Sequence, residues 1–150
     1  MIIDPSALVA ILRGEPDGPA FEALIRIEPM RRMSASGYVE LAAVIDGRRD
    51  PVLSAALDAT LRALHVEIVA FTVRQAHLAR DAYQRFGRGS GHPARLNMGD
   101  CFSYALARDL GEPLLFKGAD FALTDIELIV EPVRSRRLSE VVAAYAAEGG

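Results

Sequence analysis

Residues 1–12, MIIDPSALVAIL, join a short apolar run to a helical pattern through a single acid. Residues 1–3 are apolar and predict a buried strand that ends at Asp4. Pro5 follows directly, and proline is well tolerated in the first turn of a helix, so we predict a helix over residues 6–12. A buried strand that leads at once into a helix is the first half of an α/β unit.

The remaining chain repeats this alternation of strands and helices. Further strands are predicted over residues 32–34, 66–70, 114–116 and 126–130. Further helices are predicted over residues 20–27, 36–45, 50–64, 72–87, 97–110 and 139–147. Ser36 is a good N-cap for the helix that it begins, and Thr72 with Gln75 forms a capping-box pair. This alternation predicts an α/β fold whose parallel sheet is covered by helices on both faces.

The composition is that of one globular domain. The 150 residues are 51% hydrophobic and 25% charged, which is ordinary for a domain that can bury its own core. Cys101 is the one cysteine in the sequence, so no internal disulfide can form, as is typical of a reducing compartment. No apolar run approaches the ~20 residues of a transmembrane helix, and no basic stretch precedes an apolar one at the N-terminus. We therefore expect a cytoplasmic protein that does not contact the membrane.

The charge balance excludes one class of nucleic-acid-binding protein. The formal net charge of −3 argues against a protein that coats nucleic acid through a basic surface. It leaves open an enzyme that acts on nucleic acid through carboxylates, because a bound metal ion neutralises these charges.

Four acids fall at positions that a doubly wound sheet brings to one edge. Asp4 ends the first strand, and Asp120 follows the strand over residues 114–116 after a tight turn. Glu40 lies one turn into a predicted helix, and Asp100 lies in the first turn of another. Because ligands bind beyond the carboxyl ends of parallel strands, these four side chains could share one cleft.

Such a cluster favours a divalent cation. Carboxylates that lie close together repel one another, which raises their pKa values unless a counter-charge is present. Oxygen-only ligands suit Mg²⁺ or Mn²⁺ rather than zinc, and these ions promote phosphodiester hydrolysis. Taken singly, each acid also has a simpler interpretation: a helix cap for Asp4, a solvated helix face for Glu40, a helix-dipole partner for Asp100 and a turn residue for Asp120.

Four segments resemble one known family. They are residues 2–8 (IIDPSAL), 34–40 (SASGYVE), 96–105 (LNMGDCFSYA) and 114–125 (LLFKGADFALTD). In this order and with these spacings they resemble the PIN-domain ribonucleases, and in particular the VapC toxins of bacterial toxin–antitoxin pairs. The resemblance covers most of the chain.

The resemblance implies a role for each acid. It makes Asp4, Glu40 and Asp100 the metal ligands and Asp120 the fourth catalytic acid, with Asp125 as the alternative for that fourth position. Supporting roles near these acids are implied for Ser6, Asn97, Thr124 and Asp125. Ser6 in particular would steady Asp4, or a water molecule, through its hydroxyl.

The resemblance also implies a fold, an activity and partners. The fold would be a three-layer α/β/α domain over residues 1–133 with a mostly parallel sheet of four or five strands. The activity would be Mg²⁺- or Mn²⁺-dependent endonucleolytic cleavage of RNA, with tRNA or ribosomal RNA as substrates. The chain would form a homodimer and be silenced by a VapB-type antitoxin that places a basic side chain in the acidic cleft. Residues 134–150 exceed what this fold needs, and we expect a helical extension packed on the domain or a contact surface for a partner.

Three arginines surround the glycine-rich loop at residues 87–93. We hypothesise that Arg85, Arg88 and Arg95 guide the RNA backbone toward Asp100.

Two other functions remain open at this point. One is a catalytically silent binding module with the same fold. The other is a phosphoacceptor or phosphatase α/β domain. The strand over residues 66–70 lacks the terminal Asp that a phosphoacceptor needs, and Ser6 stands where a haloacid-type phosphatase has a second Asp.

Overall fold

Four short parallel strands form the central sheet of the computed structural model, which describes residues 1–129. The strands are β1 (Ile2–Ile3), β2 (Arg32–Ser34), β3 (Glu67–Val69) and β4 (Leu114–Leu115). Their order across the sheet is β3-β2-β1-β4, so the first strand lies in the interior of the sheet. A parallel bridge joins Leu114 to Leu128, where the sequence predicts a fifth strand. The parallel sheet of four or five strands is therefore confirmed.

Within residues 1–129, six α-helices connect and cover the strands. They are α1 (Pro5–Leu12), α2 (Gly18–Ile27), α3 (Ala35–Asp46), α4 (Pro51–Ala63), α5 (Val73–Phe86) and α6 (Met98–Leu110). Helices α1 to α4 contribute to one buried apolar cluster, and α5 and α6 contribute to a second. The sheet lies between these clusters, which gives the three-layer arrangement that the sequence predicts.

Strands β1 and β4 are wholly apolar because both faces of the sheet are buried at these positions. Successive side chains of a strand point to opposite faces of the sheet. Ile3 and Leu115 pack in the cluster beside α1 to α4, whereas Ile2 and Leu114 pack in the cluster beside α5 and α6. All four side chains are at most 1% exposed. A strand that is buried on both faces leaves its carboxyl end as the place where a polar residue can reach solvent.

Helix caps fix where α1, α5 and α6 begin. Asp4 is the N-cap of α1, with proline in the first turn. Thr72 and Gln75 form the predicted capping box of α5. Asn97 and Asp100 form a second capping box at the start of α6. These caps satisfy backbone N–H groups that have no partner inside their helices.

The predicted N-cap of α3 is wrong by two residues. Ser34, and not Ser36, is the N-cap, and the helix begins at Ala35. Ser34 is also the last residue of β2 and has extended backbone angles, so the strand passes into the helix without a loop. Ser36 lies in the first turn, where its hydroxyl oxygen is 2.8 Å from that of Ser34.

Some predictions fall at or beyond the end of the described chain. The last residue of the predicted strand 126–130, the helix over residues 139–147 and the proposed extension over residues 134–150 lie outside the described residues. Within residues 1–129, no helix combines the length and the apolar character needed to cross a membrane.

The capping box of α5 gives a test of this local analysis. We expect Thr72→Ala to lower the free energy of unfolding by about 1 kcal/mol, because the N–H of Gln75 loses its acceptor. Urea unfolding followed by circular dichroism measures the change. Thr72→Ser keeps the hydroxyl and serves as the control. Equal losses in both variants would contradict the capping role.

Candidate active site

The four predicted acids line one cleft at the carboxyl edge of the sheet. Asp4, Glu40, Asp100 and Asp120 all contribute to its wall. The cleft has a volume of about 330 Å³. The structure therefore brings together side chains from four remote stretches of sequence.

Asp4 is the most deeply buried of these acids, with 5% of its surface exposed. Its Oδ2 atom accepts hydrogen bonds from the Ser6 backbone N–H at 2.9 Å and the Ser6 hydroxyl at 2.6 Å. Its Oδ1 atom accepts a hydrogen bond from the Ser103 hydroxyl at 2.6 Å. Burial raises the pKa of Asp4, and the hydrogen bonds from Ser103 and Ser6 oppose that rise. The carboxylate is thus held in one orientation at the bottom of the cleft.

Asp100 is fixed by the cap of its own helix. Its Oδ2 atom accepts a hydrogen bond from the Asn97 backbone N–H at 2.6 Å, and the Asn97 side chain accepts one from the Asp100 N–H at 2.9 Å. This reciprocal pair sets the side-chain rotamer of Asp100, because the carboxylate must reach back over the first turn. Asn97 therefore positions Asp100 and also lines the cleft.

Glu40 reaches the cleft from α3 and lies directly against Gly99 of α6. A Cβ atom at position 99 would overlap the carboxylate of Glu40. The Glu40 carboxylate can occupy this position between α3 and α6 because residue 99 has no side chain. Gly99 is part of the sequence segment that resembles PIN domains, but its contact with Glu40 is visible only in three dimensions.

The acids raise one another's pKa values. Burial raises the pKa of Asp100 to about 7, and the charges of Asp4, Asp120 and Glu40 add to this rise while the Asn97 N–H opposes it. Burial and the charge of Asp4 raise the pKa of Glu40. Without a cation, part of the cluster therefore keeps its protons near neutral pH.

The donor set fits a hard divalent cation. Glu40 and the Oδ1 atom of Asp100 accept no hydrogen bond from another residue in the range 1–129, so these oxygens are available as ligands. No group of three His, Cys, Asp or Glu side chains within that range is already arranged to hold a metal ion. Mg²⁺ keeps several water molecules and often takes only one or two carboxylates directly, which suits such a loosely spaced set.

The geometry favours Asp120 over Asp125 as the fourth acid. Asp120 begins the short 3₁₀ helix Asp120–Leu123 and lines the cleft. Asp125 accepts hydrogen bonds from the Tyr104 hydroxyl at 2.6 Å and from Arg85 at 2.9 Å. Burial works against ionisation of Asp125, but these two bonds lower its pKa overall. Thr124 is similarly engaged, since its hydroxyl donates to the Phe121 carbonyl oxygen at 2.7 Å.

The three arginines of the RNA-guiding hypothesis do not line the acidic cleft. Arg85 forms ion pairs with Asp125 and Asp81, and its guanidinium group lies 4.5 Å from the centre of the Phe86 ring. Arg88 and Arg95 are exposed beside the glycine-rich loop. The structure does not bring these side chains to Asp100.

Two neighbours of the acids were not singled out from the sequence. Ser103 is buried and donates to Asp4. Its spacing of three residues from Asp100 places it on the same face of a helix, which is a signal that the sequence contains. Lys117 also lines the cleft. The sequence does not show which way its long side chain points.

Comparison with known proteins agrees with this fold. A model of the PIN domain matches residues 1–127. The chain therefore belongs to the PIN-domain family.

Its relatives by sequence are VapC ribonucleases of mycobacteria. Ribonuclease VapC28 of Mycobacterium tuberculosis is 52% identical over 127 residues, which cover 85% of this chain and 96% of the relative. Ribonuclease VapC of Mycolicibacterium smegmatis is 49% identical over 129 residues, or 86% and 99% of the two chains. The PIN-type fold is shared with a solved structure of M. tuberculosis VapC20, described as a sarcin–ricin loop cleaving toxin. Its TM-score is 0.66 at 18% identity, covering 85% of this chain and 97% of that one.

The contact between Gly99 and Glu40 predicts a separation of stability from metal affinity. We expect Gly99→Ala to displace the flexible Glu40 carboxylate and weaken Mn²⁺ binding about tenfold. The free energy of unfolding should not fall, because alanine is a better helix former than glycine. Titration calorimetry and urea unfolding measure the two effects. Met98→Ala, on the exposed side of the same turn, is the control, and unchanged Mn²⁺ affinity in Gly99→Ala would contradict the packing argument.

The raised pKa of Asp100 predicts the sign of a stability change. The folded chain keeps a proton that the unfolded chain releases between pH 3.8, the ordinary pKa of this carboxyl group, and about 7, its raised pKa in the fold, so in the absence of metal stability falls as pH rises through this window. Asp100→Asn removes the free-energy cost of ionising this partly buried carboxyl group, and it keeps an acceptor for the Asn97 N–H. We expect it to raise the free energy of unfolding at pH 8 by roughly 1–2 kcal/mol, the partial exposure of Asp100 being allowed for.

The gain should disappear near pH 2.5, well below 3.8, where the carboxyl group is protonated in both states. Urea unfolding at the two pH values, with a chelator present, measures it. A destabilised Asp100→Asn variant at pH 8 would show that Asp100 is not under electrostatic strain.

Proposed function

We propose that this chain is the toxin of a VapBC-type toxin–antitoxin pair and acts as a Mg²⁺- or Mn²⁺-dependent endoribonuclease. The observation that carries the proposal is the convergence of Asp4, Glu40, Asp100 and Asp120 on one cleft. The relatives with 48–52% identity are named as VapC ribonucleases, which supports the same activity here. We propose tRNA or ribosomal RNA as the substrate class, in line with the name of the VapC20 neighbour.

Each side chain has a defined task in this proposal. Asp4, Glu40 and Asp100 hold the cation, and Asp120 completes the acidic set at the cleft wall. When bound, the ion polarises the scissile phosphoryl group and promotes attack by water. Ser6 and Ser103 orient Asp4 through both of its carboxylate oxygens. Asn97 holds Asp100 through the capping box.

The partners follow from the charge of the cleft. An antitoxin of the VapB type would silence the enzyme by placing a basic side chain among the four acids, where the loss of mutual repulsion favours it. A structural neighbour from Klebsiella pneumoniae is described as a toxin–antitoxin complex, with a TM-score of 0.59 at 18% identity over 81% of this chain and 89% of that one.

We further propose a homodimer located in the cytoplasm. The domain would end near residue 133, and residues 134–150 would form an extension.

The carboxylates provide the direct test. We expect Asp4→Asn and Asp100→Asn each to reduce cleavage of total bacterial RNA by more than about a hundredfold, because each removes a charged ligand of the metal. Gel analysis with Mg²⁺ or Mn²⁺ measures cleavage, and a chelator should abolish it in the unchanged protein. Asp109→Asn is the matched control, since Asp109 lies on the same helix and pairs with Arg74 and Gln75 outside the cleft.

Two results would overturn the proposal. Full activity in both cleft variants would show that the acids do not carry the reaction. Absence of cleavage in the unchanged protein, freed of antitoxin and supplied with either metal, would favour a catalytically silent binding module.

A further inference from the structure

Of the side chains placed by the structure, one that lines the acidic cleft is cationic. Among the described residues that line it, Asp4, Glu15, Glu40, Asp100 and Asp120 are acids and Lys117 is the single base. RNA carries one negative charge per phosphate, so a chain that enters this cleft meets repulsion wherever no cation is present. A metal ion bound by the acids would compensate the negative charge of the scissile phosphate. The charges of the neighbouring phosphates would remain uncompensated.

The ammonium group of Lys117 is held at the cleft wall by two carboxylates. Its Nζ atom donates to Oε2 of Glu15 at 2.5 Å and to Oδ1 of Asp17 at 2.7 Å. Both acids belong to the segment between α1 and α2. An ammonium group has three donors, so one donor remains after these two bonds. The side chain of Lys117 is 35% exposed, so solvent or a ligand can reach it.

The backbone of Lys117 is tied to the metal-ligand position. Its N–H donates to the Ser6 hydroxyl oxygen at 2.9 Å, and that hydroxyl donates to Asp4 at 2.6 Å. Two hydrogen bonds therefore connect residue 117 to the proposed metal ligand. These bonds fix the backbone position from which the Lys117 side chain extends, relative to Asp4 in the cleft.

A lysine in this setting can exchange partners. Its ammonium is a compact point charge without the two-point geometry that commits an arginine to one carboxylate. The hydrogen bonds from Lys117 to Asp17 and Glu15 raise the pKa of Lys117, so the group is cationic when RNA arrives. Glu15 and Asp17 compete with any incoming phosphate for this cation. By contrast, Arg85 is engaged outside the cleft by Asp125.

We propose that Lys117 binds a backbone phosphate of the RNA next to the scissile one, with Glu15 and Asp17 as positioning residues that hold the ammonium until the phosphate displaces one of them. The inference rests on the proposed function and adds a substrate contact to it. It makes opposite predictions for the two sides of the ion pair: loss of Lys117 weakens RNA binding, and loss of a competing carboxylate strengthens it.

Binding is measured by fluorescence anisotropy with a fluorescein-labelled single-stranded RNA, in an Asp100→Asn parent that does not cleave it. We expect Lys117→Gln to raise the dissociation constant about tenfold, as for the loss of a charge-assisted hydrogen bond. The slope of log affinity against log salt should fall by about 0.7. Lys117→Arg keeps the charge but should recover only part of the affinity, because a guanidinium group can bind Glu15 or Asp17 at two points. Arg62→Gln, a cation on α4 outside the cleft, is the control and should leave both quantities unchanged.

A double-mutant cycle separates displacement from general electrostatics. Asp17→Asn should tighten RNA binding about threefold when Lys117 is present, because a competitor for the ammonium is weakened. In the Lys117→Gln background the same change should have no effect. An equal gain in both backgrounds would show that Asp17 acts only through its charge and would overturn the positioning role.

A measurement without substitution of Lys117 is also available. The sequence contains a single lysine. A protein labelled with ¹³C at the lysine ε-carbon therefore gives one resonance for that carbon, which needs no assignment. We expect the ε-carbon resonance to shift on RNA addition, with the same dissociation constant as the anisotropy. If the parent binds RNA but this resonance stays still and Lys117→Gln binds equally well, the lysine only anchors the segment between α1 and α2. If neither the parent nor the unchanged protein supplied with Mn²⁺ binds or cleaves the RNA, the proposed function fails together with this inference.

Discussion

The buried carboxylate of Asp4 is the constraint around which the site is arranged. Its strand is closed on both faces by apolar side chains, so Asp4 is the first residue of the chain that can turn a polar group toward the cleft. Desolvation disfavours its charge, and hydrogen bonds from Ser6 and Ser103 compensate in part. These two donors come from α1 and α6, on opposite sides of the sheet. One charged group therefore joins the two layers at the point where chemistry is proposed.

The remaining acids make the cleft electrostatically unfavourable when it is empty. Burial and mutual repulsion act together on Asp100 and Glu40. A cation reverses both effects, since it replaces lost hydration and separates the like charges. Binding of the proposed metal ion would therefore also stabilise the folded domain. The same argument explains why a positively charged group from a partner could substitute for the ion.

The sequence carries the fold and most of the site, and particular residues show why. The strand at residues 1–3 and the helix at Pro5 are strong local signals, and the capping pair Thr72–Gln75 is one as well. The sequence predicted that Asp4, Glu40, Asp100 and Asp120 could share one cleft, because sheet topology places the ends of parallel strands and the helix starts beside them together. Their roles were implied by the resemblance to PIN-domain ribonucleases. The start of α3 was misassigned because Ser34 ends a strand and begins a helix at the same residue, for which local capping preference has no separate signal.

Contacts between remote side chains were the part that the sequence left open. Whether Asp120 or Asp125 faces the cleft depends on Tyr104 and Arg85, which are far from both in sequence and capture Asp125. The same holds for Lys117, whose direction is set by acids about a hundred residues earlier in the chain. Long, flexible side chains choose among several partners, and backbone patterns do not encode that choice.

Helix α6 carries Asp100 and Ser103 one turn apart, and its cap residue Asn97 precedes them. A small shift of this helix along its axis would therefore move the proposed metal ligand Asp100, its cap residue Asn97 and the donor Ser103 together, by the same amount and in the same direction. The register of α6 is maintained by its packing on α5, including the tilted contact between Phe86 and Tyr104 at 5.9 Å. The positions of these site residues consequently depend on the apolar packing of α6 against α5, away from the cleft. Core substitutions that do not contact the cleft can therefore change the geometry of the site.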